Sequence, residues 1–163
     1  NQFTGDGVMA LFGAPLALED APRRSVIAAL AIHRELEAID EDVRETHGRR
    51  FQMRIGINSG PVVVGKIGDD LRMDYTAVGD TTNLASRLEQ LAPPGGVVVS
   101  DATHRLIQGF FDFDALEPTE VKGRSGRIQV YQVLSERPIS GRIEALTESE
   151  LTTSASPSRA AVL

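Results

Sequence analysis

The sequence predicts an α+β domain in which helices pack on one face of a mostly antiparallel sheet. Three observations predict it. Strand-like and helix-like stretches alternate along the 163 residues, a hairpin signal stands near the start, and one long segment repeats apolar residues at three-to-four spacing. With 41% hydrophobic and 25% charged residues, the composition is that of a globular chain with one core.

Asp6-Gly7 is a two-residue turn signal, since both central positions of a type I′ turn need positive φ. It predicts a hairpin of Asn1–Gly5 and Val8–Gly13 with Asp6 at its tip and Val8–Phe12 as a buried strand. Asp20 then caps a helix, with Pro22 tolerated in the first turn and Gly48 ending it. Val26, Leu30, Ile32, Leu36, Ile39 and Val43 mark its buried stripe. Phe51–Asn58 reads as a strand broken at Ser59-Gly60-Pro61. Val62–Ile67 and Met73–Val78 are extended around a turn at Gly68-Asp69-Asp70. A helix capped by Asp80 or a neighbouring Thr covers about 81–92 and stops at Pro93-Pro94-Gly95-Gly96. Val97–Ser100 is a short buried strand, Ala102–Gln108 a short helix, Glu120–Gly126 a basic loop and Ile128–Leu134 the last strand. After Pro138 large apolar residues are few, so the domain is placed at 1–137 and a linker or disordered tail at 138–163.

A net charge of -6 argues against a nucleic-acid binder, because phosphate backbones demand clustered Lys and Arg. The absence of cysteine excludes disulfides, thiolate zinc sites and a cysteine nucleophile. His33, His47 and His104 lack metal-ligand spacing and read as surface or packing residues. No apolar run is long enough for a membrane span and no secretory pattern opens the chain, so a cytoplasmic location is expected. The first residue is Asn1 and strand-like sequence follows at once, so the chain is expected to come from a longer one.

Two places could carry chemistry. Asp6, between two glycines at a turn, is approachable by a phosphate or a metal, although Asp-Gly is also simply a good turn. Asn83 and Arg87 are four apart on a helix and so share a face. An amide beside a guanidinium can hold a ribose and stabilise charge on a transferring phosphoryl group. The plainer alternative is a polar face with Arg87 paired to Glu89 or Asp80.

Four ordered blocks carry a resemblance: Gln2-Phe3-Thr4-Gly5-Asp6-Gly7-Val8-Met9-Ala10-Leu11-Phe12-Gly13, Met53-Arg54-Ile55-Gly56-Ile57-Asn58-Ser59-Gly60, Gly79-Asp80-Thr81-Thr82-Asn83-Leu84-Ala85-Ser86-Arg87, and Glu120-Val121-Lys122-Gly123-Arg124. Over about residues 1–135 the chain resembles the class III adenylate/guanylate cyclases. The resemblance implies a ferredoxin-like cyclase fold lacking its first strand and helices. It also implies a head-to-tail homodimer with composite sites, and a reaction assisted by two divalent ions, Mg²⁺ or Mn²⁺. Asp6 matches the second metal aspartate, Asn83 the ribose-orienting amide and Arg87 the transition-state arginine. Arg54 and Lys122 match the cations that grip the β- and γ-phosphates.

Two departures from the family pattern bear on activity. The first metal aspartate of the family lies upstream of the hairpin, and this sequence begins after that point, so the fragment alone is expected to be inactive. Where the family commonly reads adenine with a lysine and an aspartate, Gln2 and Thr76 stand here. Both can donate or accept, so the pair discriminates less strictly between adenine and guanine. Each resembles bacterial variants of the family that make cyclic AMP, which implies ATP as the favoured substrate with some turnover of GTP. The other reading of the sequence is a non-catalytic nucleotide-binding or dimerisation module.

Overall fold

The computed structural model describes residues 2–4, 7–14, 16–67, 74–120, 126–138 and 160–162, and of 2–4, 63–67, 74–78 and 160–162 it describes the backbone alone. The chain runs β1 (Gln2–Thr4), β2 (Gly7–Met9), β3 (Leu11–Phe12), α1 (Ala21–His47), β4 (Ile55–Gly60), β5 (Val63–Ile67) and β6 (Asp74–Val78). It continues through α2 (Asp80–Leu91), β7 (Val97–Ser100), α3 (Asp101–Ile107), β8 (Phe111–Ala115), β9 (Thr119–Glu120), β10 (Arg127–Ile128), β11 (Val130–Glu136) and β12 (Ala160–Val162).

The main sheet has the order β3-β12-β4-β7-β11-β8. Every neighbouring pair in it is antiparallel except β4 with β7, where Ile55, Gly56 and Ile57 pair in parallel with Val97, Val98 and Val99. The predicted α+β class and its mostly antiparallel sheet are therefore observed.

The helices do not share one face. β7 alternates its side chains: Val97 and Val99 pack with Val26 and Ala29 of α1 and Ile107 of α3, while Val98 packs with Leu84 and Leu88 of α2. Covered on both sides, β4 is buried at all six positions. Three apolar valines in a row at 97–99 are what such a doubly covered strand requires.

Other expectations shift for local reasons. The predicted stripe of α1 is buried only near its start, where Val26 is fully enclosed, whereas Ile39 is 49% exposed. Helix α1 has 27 residues, about 40 Å of helix, against about 20 Å for the six residues of β4, so it outruns the sheet. The stretch expected as one buried strand over 8–12 is split into β2 and β3 in different sheets, and Val8 is 53% exposed. Thr4 pairs with Gly7, so the hairpin connection is 5–6 rather than 6–7. β4 starts four residues later than predicted and continues through Ser59-Gly60. Of the predicted tail, Ala160–Val162 form β12, pairing with Leu11 and Phe12 on one side and Asn58–Gly60 on the other. The turn at Gly68-Asp69-Asp70 and residues 139–159 lie outside the described residues.

Candidate functional site

Helix α2 is seated on β4 by close backbone contact. A Cβ placed on Gly56 would stand 2.1 Å from the Glu89 nitrogen and 2.3 Å from the Ala85 oxygen, so only glycine admits the helix at this depth. At Gly60 the neighbour is a side chain instead, and an added Cβ would meet Thr81 Oγ1 at 2.7 Å. Thr81 Oγ1 donates to the carbonyl of Pro61 at 2.6 Å, and Asn58 Nδ2 donates to the carbonyl of Thr81 at 3.0 Å. The N-terminus of α2 is thereby fixed to the end of β4, and the helix runs back along the strand.

The cap is glycine rather than Asp80 or a Thr. Gly79 takes φ of +149°, a region that side chains disfavour, and its carbonyl accepts from Asn83 N at 3.2 Å and from Thr82 Oγ1 at 2.9 Å.

Thr81, Leu84, Ala85 and Leu88 form the buried face of α2. Asn83 is exposed and Arg87 half-buried on the side turned away from the sheet, about 40° apart around the axis. The ion pairs among the described residues join Arg23–Glu136, Arg24–Asp20, Arg44–Glu41, Arg105–Asp101, Arg127–Glu120 and Arg137–Asp112. Arg87 is in none of these described pairs. Arg54, exposed just before β4, is in none of them either. It precedes Gly56 by two residues, near the part of α2 where Leu88 and Glu89 rest.

Gln2 lies on β1 and Thr76 on β6, paired with Gly65 of β5. These two strands approach with Cα atoms within 8 Å, which brings the two sequence segments together. The side chains of Gln2 and Thr76, and all of Asp6 and Lys122, lie outside the described residues. Among the described residues no group of three or more His, Asp or Glu side chains could hold a metal ion. The described groups held off their ordinary pKa values, His33, His104 and Asp112, are on α1, α3 and β8.

Sequence reasoning missed a buried polar cluster of Asn58, Ser59, Thr81, Ser100 and Thr103, each under a tenth exposed. Its one legible signal was the run of polar residues ending two otherwise apolar strands.

The adenylate and guanylate cyclase catalytic domain family matches residues 2–135. The chain belongs to the class III adenylate/guanylate cyclases. Adenylate cyclase 1 of Rhizobium meliloti is 35% identical over 94% of this cyclase chain and 23% of its own length. The solved guanylyl cyclase Cya2 superimposes with a TM-score of 0.76 at 29% identity, over 85% of this chain and 70% of that one. A dimeric guanylyl cyclase domain of the RhoGC fusion protein from Blastocladiella emersonii gives a TM-score of 0.65 at 31% identity, over 77% and 65%. This cyclase segment thus spans about a quarter of the Rhizobium meliloti relative, and its relatives include both adenylate and guanylate cyclases. None of the described helices is long and apolar enough to cross a membrane.

Proposed function

We propose that this cyclase domain forms a 3′,5′-cyclic nucleotide, chiefly cyclic AMP from ATP, at sites shared between two copies of the chain. The observation that carries this reading is the orientation of α2. Its inner face is committed to Gly56 and the sheet, which leaves Asn83 and Arg87 turned outward, available to a surface other than their own sheet.

In this reading the ribose 3′-hydroxyl attacks the α-phosphorus in line. A new P–O bond forms, the hydroxyl proton is lost, and pyrophosphate departs with the electron pair of the broken P–O bond. Asn83 holds the ribose by its amide. Arg87 offsets the charge that grows on the α-phosphoryl oxygens. Arg54 and Lys122 hold the β- and γ-phosphates, and Gln2 and Thr76 read the base edge, favouring adenine over guanine without excluding it. Two divalent ions, Mg²⁺ or Mn²⁺, would neutralise the triphosphate. Asp6 is the ligand this chain would offer them.

The test is product analysis on the natural full-length chain with Mn²⁺ and either ATP or GTP. Cyclic AMP as the main product, with a smaller yield of cyclic GMP, is expected. Cyclic GMP alone would overturn the choice of substrate. A dinucleotide product, or none from folded dimer, would overturn the activity itself.

A further inference from the structure

Asn58 is 3% exposed, and a buried amide without partners is costly, so where its two ends point is informative. Nδ2 donates to the Thr81 carbonyl in the first turn of α2 at 3.0 Å, and Oδ1 accepts from Ser100 Oγ at 2.7 Å. Ser100 closes β7 and caps α3, accepting the Thr103 N–H at 3.2 Å. Thr103 Oγ1 in turn reaches Ser59 Oγ at 3.0 Å and stands 3.1 Å from Ser100 Oγ. Ser100 has one hydroxyl hydrogen and gives it to Asn58 Oδ1, and Thr103 gives its own to Ser59 Oγ.

The amide therefore fastens the first turn of α2 to both parallel central strands and to the start of α3. Thr81 precedes Asn83 by two residues and Arg87 by six, so a shift of this turn moves both. The requirement is also chemically narrow. The Thr81 carbonyl can only accept, and a carboxylate at position 58 would face it with a second acceptor.

We propose that Asn58 is a positioning residue for Asn83 and Arg87, setting where α2 presents them without touching the nucleotide itself. The inference rests on the reading that α2 carries the catalytic pair. Steady-state kinetics on the natural full-length chain tests it. Asn58→Leu removes both hydrogen bonds at similar volume, and Asn58→Asp keeps the acceptor but loses the donor. Both are expected to lower kcat on the order of 10- to 100-fold with KM changed less than about threefold, as misplacement of reacting groups does.

A structural role alone would lower the thermal midpoint and leave kcat intact at a temperature where the variant is folded. That result overturns the inference. So does simple multiplication of losses when Asn58→Leu is combined with Arg87→Ala, since a residue acting through Arg87 has little left to disturb once that guanidinium is gone. If Asn58→Leu does not fold, Ser100→Ala removes the donor to Oδ1 and spares the Thr81 contact. It is expected to give a smaller kcat loss that vanishes in the Arg87→Ala background, and an unchanged kcat overturns the inference. Full turnover by Arg87→Ala overturns the assignment of α2 and this inference with it. Normal behaviour at Asn58 beside a crippled Arg87→Ala overturns the inference alone.

Discussion

Gly56 of β4 lies directly under Ala85 of α2, with 2.3 Å between the Ala85 carbonyl oxygen and the place a Cβ on Gly56 would occupy. Backbone stands on both sides of that contact, so neither partner can give way by a rotamer change. Gly56→Ala is expected to destabilise the domain by about 1–3 kcal/mol or more, in the manner of an overpacked core. The urea midpoint measures it. An unshifted midpoint would mean that α2 rides higher on the sheet than described.

Arg87 should matter to turnover far more than to stability. Half-buried on the outer side of α2 and in none of the described ion pairs, it holds little of the fold together. Arg87→Ala is expected to lower kcat by roughly 10²–10³ with a smaller change in KM and a nearly unchanged thermal midpoint. Comparing the three quantities on one preparation checks this.

Sharing of sites between subunits predicts complementation. Chains carrying Asp6→Ala and chains carrying Arg87→Ala are each expected to be nearly inactive. Mixed and re-dimerised, they should regain part of the activity, because one of the two shared sites is then intact. Confirmed heterodimers without recovery would speak against a site built from two copies.

Stability should fall in mild acid for a reason remote from the nucleotide. His104 stacks on Tyr131 with ring centroids 3.8 Å apart and meets Phe113 edge-on at 4.7 Å. Burial pushes its pKa below the ordinary 6.5, more than Asp101 pulls it back, with Arg105 adding to the fall. His33 is displaced in the same direction, chiefly by burial. Below pH 6.5 the unfolded chain therefore binds more protons than the folded one. This stability is complete above that pH and is lost as the pH drops through the lowered folded values. Urea midpoints between about pH 5 and about pH 8 should show the decline, and His104→Phe should flatten part of it.

What could be read from residues alone followed from how local the cause was. Val97–Ser100 and the helix from Asp80 were legible because an apolar run and a Pro-Pro-Gly-Gly stop are local signals, although the cap is Gly79 and not the expected Asp80 or Thr. The exposed half of α1 was not, because its apolar repeat persists after the sheet beneath it has ended. The split of helices between two faces was not legible either. It depends on which side of β7 each valine faces, and that is set by the parallel pairing with β4, distant in sequence. Asn83 and Arg87 could be picked out by spacing and resemblance. Asn58 and Ser100 could not be linked to them, since 42 residues separate the two ends of their hydrogen bond.

The placement of β12 has a kinetic consequence. Phe12 pairs with Ala161, and Ala160 pairs with Gly60, so the strand that joins β3 to β4 arrives from the far side of the sequence. Contacts of such separation close late, because the entropy of a large loop must be given up before any pairing offsets it. The four strands β4, β7, β11 and β8 can assemble from residues 55–136 beforehand, leaving β3 to be gathered in last. Refolding followed by pulsed hydrogen exchange should therefore find amides of Ile55–Ile57 protected before those of Leu11 and Phe12.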